Sequence, residues 1–434
     1  MAADSHSYFR TERLHSRQLA LIGLMFGYSV LNYFDRTIMS IAGPQVMQEF
    51  NLSATQMGSV YSAFIFSYAV LMIPGGRLAD RLGPRLALTF VGLTAALFTT
   101  LTAVVGTPVL GTALGLLPAL ILIRLGLGVA SAPIYTACAR MCAIWIPPVR
   151  QARVQGFIIA GSSLGGALSP LVFSWLIRQY GWRISFCIAA AVTGGLAAVW
   201  FAYASDHPGG GSPGKLAGAE RSPTPWRQLL ANRTLMLLTF AYFTVGYFDY
   251  IFFYWIYYYF GQVRQMGFSQ SARFTTILFL SMAVMMPIGG WISDRVTRAF
   301  GASAGRRLVP LVAMVLCAAA LYIGTRVSHP GLVLTAMSLS IGFAGFCEGP
   351  FWASASALGG NHVGAASALL NAGGNVGGFL APLAVPWIAS FAGWSWSLHS
   401  GSLLVLAGAF ACYFSESRTM MGTWLKAHRT TAAH

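Results

Sequence analysis

Residues 75–81 read GGRLADR, and residues 289–295 read GGWISDR. Each segment follows the second long apolar stretch of its half of the chain, and arginines continue both segments. Two related segments at corresponding places indicate an internal repeat. The repeat therefore predicts two similar units of six helices each.

The composition indicates a membrane protein. Of the 434 residues, 56% are hydrophobic and only 9% are charged, too few to cover the surface of a soluble protein. Several apolar runs have the length of about 20 residues that a helix needs to cross a bilayer. We predict twelve spanning helices, at residues 18–41, 54–76, 86–106, 114–144, 153–178, 184–205, 233–260, 269–292, 307–325, 331–357, 363–391 and 396–416.

The predicted spans divide the chain into three parts and assign most of its positive charge to one side of the membrane. We predict an N-terminal six-helix bundle at residues 1–205, a cytoplasmic linker at 206–232, and a C-terminal bundle with its tail at 233–434. The net charge is +16, and most of the 27 Lys and Arg residues fall in the loops and ends on one side. That asymmetry follows the positive-inside rule and predicts cytoplasmic termini. Nucleic-acid binding is not needed to explain the charge.

The sequence gives no sign of a metal centre, a cofactor or an enzyme active site. The six cysteines lie in or at the ends of apolar spans, and the eight histidines lie at termini, loops and span edges. We find no pairing of a nucleophile with a base inside the spans. We therefore expect no metal, no cofactor and no enzymatic activity.

Several segments carry a resemblance to a known family. GGRLADRLGPR (75–85) resembles the signature loop of the major facilitator superfamily. LNYFDRTIMSIAGP (31–44) and RLGLGVASAPIYTACARM (124–141) resemble the anion:cation symporter family, which includes carriers of galactonate and hexuronates and the sialin-like carriers. The resemblance covers essentially the whole chain. It implies two six-helix bundles around a central cavity, alternating access, and inward symport of an organic anion with protons.

The resemblance also implies roles for individual residues. Asp35 is similar to the family's proton-responsive acid, and Arg36 to its carboxylate-binding arginine. The positions expected to bind substrate are Tyr33, Arg36, Tyr68, Arg124, Trp352 and Asn371.

The chain departs from the family at Ser131, where a buried glutamate usually provides a second proton site. Two acids in the second half are candidates to replace it, and we favour Glu348 over Asp249. Glu348 lies four residues before Trp352, which places both on one helical face. The alternatives are a helix–helix hydrogen bond for Glu348 and an ion pair of Asp249 with Arg264 or Arg273.

The adjacent residues Asp35 and Arg36 can also be interpreted without the family. An ionised side chain at bilayer depth costs about 2.5–3.5 kcal/mol, so these two should face the bundle interior. A guanidinium stays charged and fits a carboxylate with two parallel hydrogen bonds, whereas a carboxyl group can gain and lose a proton. We expect Arg36 to hold an anion and Asp35 to respond to protons in the same cavity.

The repeated glycine segment suggests a conformational latch. Its glycines permit close packing of helices, and its acid and arginine can form contacts that hold one conformation of a bundle. The predicted latch residues are Gly76, Asp80, Arg81, Asp294 and Arg295. The alternative is a positively charged turn that only sets the topology.

These observations together predict a secondary transporter that imports a small organic anion, such as a sugar acid, by proton symport. One alternative is an organic-anion exchanger or uniporter that does not use protons. Another is a transporter-like receptor that binds an anion without moving it. We expect a monomer in the lipid bilayer, and the excess of Arg over Lys suggests a bacterial inner membrane.

Overall fold

The computed structural model describes residues 15–107, 115–206, 226–301 and 304–414. These residues form helices and the short turns between them, without a strand. The predicted linker, 206–232, falls mostly outside the described residues. The all-α prediction is confirmed.

Six helices make up the N-terminal half, and local signals set several of their ends. Ser53 caps one helix, because its side chain accepts a hydrogen bond from the backbone N–H of Gln56. Another helix bends at Gly181, whose φ of 76° suits a residue without a Cβ. The helices are α1 (Ser16–Phe50), α2 (Ala54–Leu82), α3 (Pro84–Val104), α4 (Leu116–Ser131), α5 (Ile134–Trp145) and α6 (Pro148–Tyr203).

The C-terminal half begins with a short helix and continues with seven longer ones. A π-helical segment, Tyr259–Val263, extends the first long helix, and a second, Ala304–Leu308, precedes the third. The helices are α7 (Trp226–Ala231), α8 (Arg233–Tyr258), α9 (Phe268–Phe300), α10 (Val309–Arg326), α11 (Pro330–Phe346), α12 (Glu348–Gly359), α13 (Val363–Ala392) and α14 (Trp394–Phe414).

These helices account for the twelve predicted spans. Nine stretches of the described chain are long and apolar enough to cross a membrane, and one of them, Val154–Tyr203, contains two spans joined at Gly181. The helices α1 and α2, with 35 and 29 residues, supply the first two spans. Two spans are broken midway, one between α4 and α5 and the other between α11 and α12.

The internal repeat is visible in how the helices pack. Gly75 of α2 contacts Pro133 at the break between α4 and α5. Gly289 of α9 lies against the backbone of Phe346 at the break between α11 and α12. In each half, a glycine of the repeated segment thus allows the second span to approach the break in the fourth. The two halves are pseudo-symmetric bundles, as predicted.

The helices pack within each half, and one large apolar core extends across both halves. In the first half α1 and α3 pack on α6, and α2 packs on α4; in the second, α13 and α14 pack on α8. The halves meet where α2 contacts α13, α6 contacts α9 and α1 contacts α8. Large apolar side chains such as Phe391, Leu403 and Phe410 point outward, as expected of a surface that faces lipid.

Candidate functional site

Arg36 lies where the two halves meet, inside a cage of aromatic rings. Its guanidinium is 4.8–5.8 Å from the ring centres of Tyr33 on α1, Phe64 and Tyr68 on α2, and Tyr250 on α8. The side chain is 6% exposed, and its Nη2 atom has no hydrogen-bond partner within the described part of the chain. The rings favour a cation, and Nη2 remains a free donor for an anion.

Asp35 points in a different direction from Arg36, since successive residues on a helix are about 100° apart. Its Oδ2 accepts a hydrogen bond of 2.8 Å from the hydroxyl of Thr193 on α6. Its Oδ1 is buried and has no partner among the described residues. Asp35 and Arg36 thus have different neighbours, and a cavity shared by the two stays a prediction.

A small cavity inside the N-terminal half connects Asp35 with Ser131. Asp35, Asn32 and Tyr28 line it from α1, Ser131 from the end of α4, and Thr193 from α6. The position where the family usually has a glutamate is therefore next to Asp35. The serine side chain is too short to fill the space that a glutamate would occupy.

Arg124 is one of the largest fully buried side chains in the protein, with 2% of its surface exposed. It lies on α4 and interacts electrostatically with Asp35, Tyr61 and Tyr254. In the part of the chain described, its Nε and Nη2 atoms have no hydrogen-bond partner. A buried arginine with free donors can bind an anion, as Arg36 can.

In the C-terminal half, Glu348, Tyr242 and Trp352 form a hydrogen-bonded cluster. The hydroxyl of Tyr242 donates to Oε2 of Glu348 at 2.9 Å, and Nε1 of Trp352 donates to the same oxygen at 3.1 Å. The predicted shared face of Glu348 and Trp352 is therefore present. Asn371 on α13 contacts Met72 on α2, with 3.6 Å between its Nδ2 and the sulfur, and so lies where the halves meet.

Asp249 is buried in the C-terminal half, with 6% of its surface exposed. Its Oδ1 atom lacks a hydrogen-bond partner within the described ranges. Arg264, one of its two candidate partners, instead donates to the backbone carbonyls of Gly324 and Val327.

Two rings of the cage around Arg36, those of Phe64 and Tyr250, were not among the predicted site residues. The aromatic run of the seventh span was a signal for Tyr250, because so many rings in one helix suggest the wall of a cavity. Tryptophans and tyrosines in such a run can also form the belt of aromatic residues at the membrane interface. The structure buries Trp255 completely and packs it on Tyr61 and Trp394.

The predicted latch residues lie within helices and not at turns, in the last two turns of α2 and of α9. Gly76 lies beside Thr136 of α5, and the side chains of Arg81, Asp294 and Arg295 are exposed. The guanidinium of Arg295 stacks on Trp291 of its own helix, 4.3 Å from the ring centre. The side chain of Asp80 lies outside what the structure describes. The latch stays a prediction.

Comparison with known proteins agrees with this architecture. Residues 25–359 match the Major Facilitator Superfamily. A bacterial homologue of the human lysosomal transporter Spinster shares the fold, with a TM-score of 0.79 at 16% identity over 93% of this chain and 98% of the other.

Two curated relatives match over nearly their whole lengths. A probable sulfoacetate transporter of Cupriavidus necator is 27% identical over 423 residues, 93% of this chain and 94% of the relative. The hexuronate transporter of Bacillus subtilis is 27% identical over 406 residues, 92% and 93% of the two chains. The family and its members are transporters and not enzymes. The chain is an integral membrane transporter and belongs to the Major Facilitator Superfamily.

Proposed function

We propose that this protein imports a small organic anion by proton symport, with Arg36 and Arg124 as its anion-binding groups. Two relatives are named for hexuronate and sulfoacetate, which are both organic acids. The substrate class we infer is a small carboxylate, either a sugar acid or a short acid with a second anionic group.

The aromatic cage of Arg36 is the observation that supports this proposal most. A buried guanidinium without an acidic partner is costly, because the charge has lost its water. A carboxylate would accept from its free Nη2 atom and neutralise the charge. Because α1, α2 and α8 all contribute rings, a bound anion would contact both halves of the transporter.

Asp35 is our proposed proton-binding residue. Asp35 lines a cavity, its Oδ1 has no hydrogen-bond partner among the described residues, and Arg124 is close enough to affect it electrostatically. A proton on Asp35 would remove its attraction for Arg124 and leave that arginine free for the substrate. Proton binding and anion binding would then favour each other.

Uptake into proteoliposomes tests both parts of the proposal. We expect a labelled sugar acid or sulfoacetate to accumulate only when an inward proton gradient is imposed. Asp35→Asn should abolish accumulation but keep exchange of substrate across the membrane. Glu49→Gln is the matched control, since Glu49 is an exposed acid of α1 that binds Arg183 and Trp182 away from the site. Gradient-driven accumulation by Asp35→Asn would contradict the proposed role.

Ser131 favours one second candidate, an anion exchanger or uniporter. If coupling needs the glutamate that the family usually has at this position, its replacement removes coupling. The same uptake assay distinguishes the two, because an exchanger or uniporter would give saturable flux that ignores the gradient.

We further propose a bacterial inner membrane as the location, with both termini in the cytoplasm and a monomer as the working unit. The positive-inside distribution of Lys and Arg supports the orientation. Labelling of an introduced terminal tag from either side of intact spheroplasts would test it.

A further inference from the structure

The tripeptide Tyr-Phe-Asp occurs twice, at residues 33–35 of α1 and at residues 247–249 of α8. The two copies are separated by the same number of residues as the glycine segments at 75–81 and 289–295. The helices α1 and α8 are the first long helices of the two halves. The internal repeat therefore makes Asp249 the counterpart of Asp35.

The two aspartates also have similar surroundings in the fold. Asp35 is 4% exposed and Asp249 is 6% exposed. In each, the Oδ1 atom is buried and has no hydrogen-bond partner among the residues that the structure describes. A buried carboxyl oxygen without a donor is costly when the group is ionised.

The charges around the two aspartates differ. Asp35 has a basic neighbour, Arg124, whereas the charged group that acts on Asp249 is a second acid, Glu348. The other titratable side chains around Asp249 are those of Tyr242 on α8, Cys317 on α10 and Cys347 just before α12. An ionised Asp249 would therefore be a buried charge beside a like charge, and a proton removes that repulsion.

We propose that Asp249 is a second proton-binding carboxyl group. It provides, in the C-terminal half, the second proton site that the family usually has as a glutamate at the position of Ser131. This inference rests on the proposed proton symport. The carboxylate gains one proton from water on one side of the membrane and releases it to water on the other, so only an O–H bond forms and breaks. We assign the proton to Asp249, because Glu348 already accepts hydrogen bonds from Tyr242 and Trp352.

The number of protons moved with each substrate tests the assignment. It is measured in proteoliposomes from the equilibrium accumulation of a labelled sugar acid at several imposed pH gradients. We expect Asp249→Asn to move one proton fewer per substrate than the wild type. Glu348→Gln should keep the wild-type ratio, and Glu49→Gln serves as the control for an acid outside the transport path. An unchanged ratio in Asp249→Asn overturns the proposal.

Infrared spectroscopy gives a second readout that does not depend on transport. We expect the wild type to show the carbonyl stretch of a protonated carboxyl group that Asp249→Asn lacks. If the asparagine variant does not fold, Asp249→Glu should shift the same band. If uptake by the wild type does not depend on the proton gradient, the proposed symport is wrong. The carbonyl band alone then shows whether Asp249 is protonated. A band lost in the variant supports the protonated Asp249, and an unaltered spectrum overturns it.

Discussion

At the scale of single residues, the clearest consequence concerns the guanidinium of Arg36. Lysine keeps the positive charge but lacks the planar fork that binds both oxygens of a carboxylate. One hydrogen bond to a charged group contributes about 1.5–3 kcal/mol, so Arg36→Lys should weaken substrate binding about tenfold or more. Isothermal titration of the purified protein would measure this change.

The control for this variant is Arg178→Lys. Arg178 is also an arginine at the contact between the halves, but it donates to the hydroxyl of Ser269 rather than facing the aromatic cage. We expect its substrate affinity to stay close to that of the wild type. Equal affinities for Arg36→Lys and Arg178→Lys would exclude a two-oxygen contact with Arg36.

Residue types alone identified Asp35 and Arg36 as candidates, because charges in membrane spans are costly. They could not show which neighbours each side chain faces, since that depends on how α1 is rotated against α6 and α8. The sequence favoured Glu348 over Asp249 as the second proton site, and the proposal for Asp249 depends on a contact that the sequence does not show. Glu348 is distant from Asp249 in sequence, and only the packing of α8 against α12 brings the two acids together.

At the scale of helices, glycines determine how closely pairs of helices pack, and α6 offers a matched comparison. A Cβ at Gly165 would overlap the backbone carbonyl of Val30 on α1, whereas a Cβ at Gly195 would meet nothing within 4 Å. Overpacking of this kind costs about 1–3 kcal/mol. We expect Gly165→Ala to lower the thermal unfolding temperature in detergent and Gly195→Ala to leave it unchanged or slightly raised.

This pair of variants separates packing from helix propensity. Alanine favours a helix over glycine by about 0.5–1 kcal/mol in both positions. If both variants were equally stable, the close approach of α6 to α1 would not contribute to stability.

Span positions were predictable at this scale, because hydropathy and length leave few alternatives for a chain in lipid. The breaks between α4 and α5 and between α11 and α12 were not predicted. Each falls inside one predicted span, with Pro133 at the first break and Pro350 just after the second. A proline inside a span can kink a helix or break it, and other helices contain proline without a break, for example at Pro44 of α1. The packing of Gly75 and Gly289 against those breaks supplies the missing information.

At the scale of the whole molecule, the contacts between the halves indicate which side is closed. Ser62 of α2 donates to the backbone carbonyl of Phe379 on α13 at 2.7 Å, and Tyr61 stacks on Tyr254 of α8 with 4.9 Å between ring centres. Gly58, one turn nearer the start of α2, lies against the backbone carbonyl of Pro382. These contacts lie toward the 51–53 loop, which is on the outer side in the predicted topology. An importer must open them to admit substrate.

A bulky residue at position 58 should therefore disturb transport more than binding. The side chain in Gly58→Leu would overlap Pro382 whenever the outer side closes, and it would fit when that side is open. An overpacking cost of about 1–3 kcal/mol would shift the balance between the two conformations by roughly 5–150-fold. We expect Gly58→Leu to slow uptake into proteoliposomes by a factor in that range, whereas substrate affinity in detergent is kept. Gly195→Leu, which places the same side chain in open space on α6, should transport like the wild type. Equal uptake rates for the two variants would mean that the approach of α2 to α13 is not the step that closes the outer side.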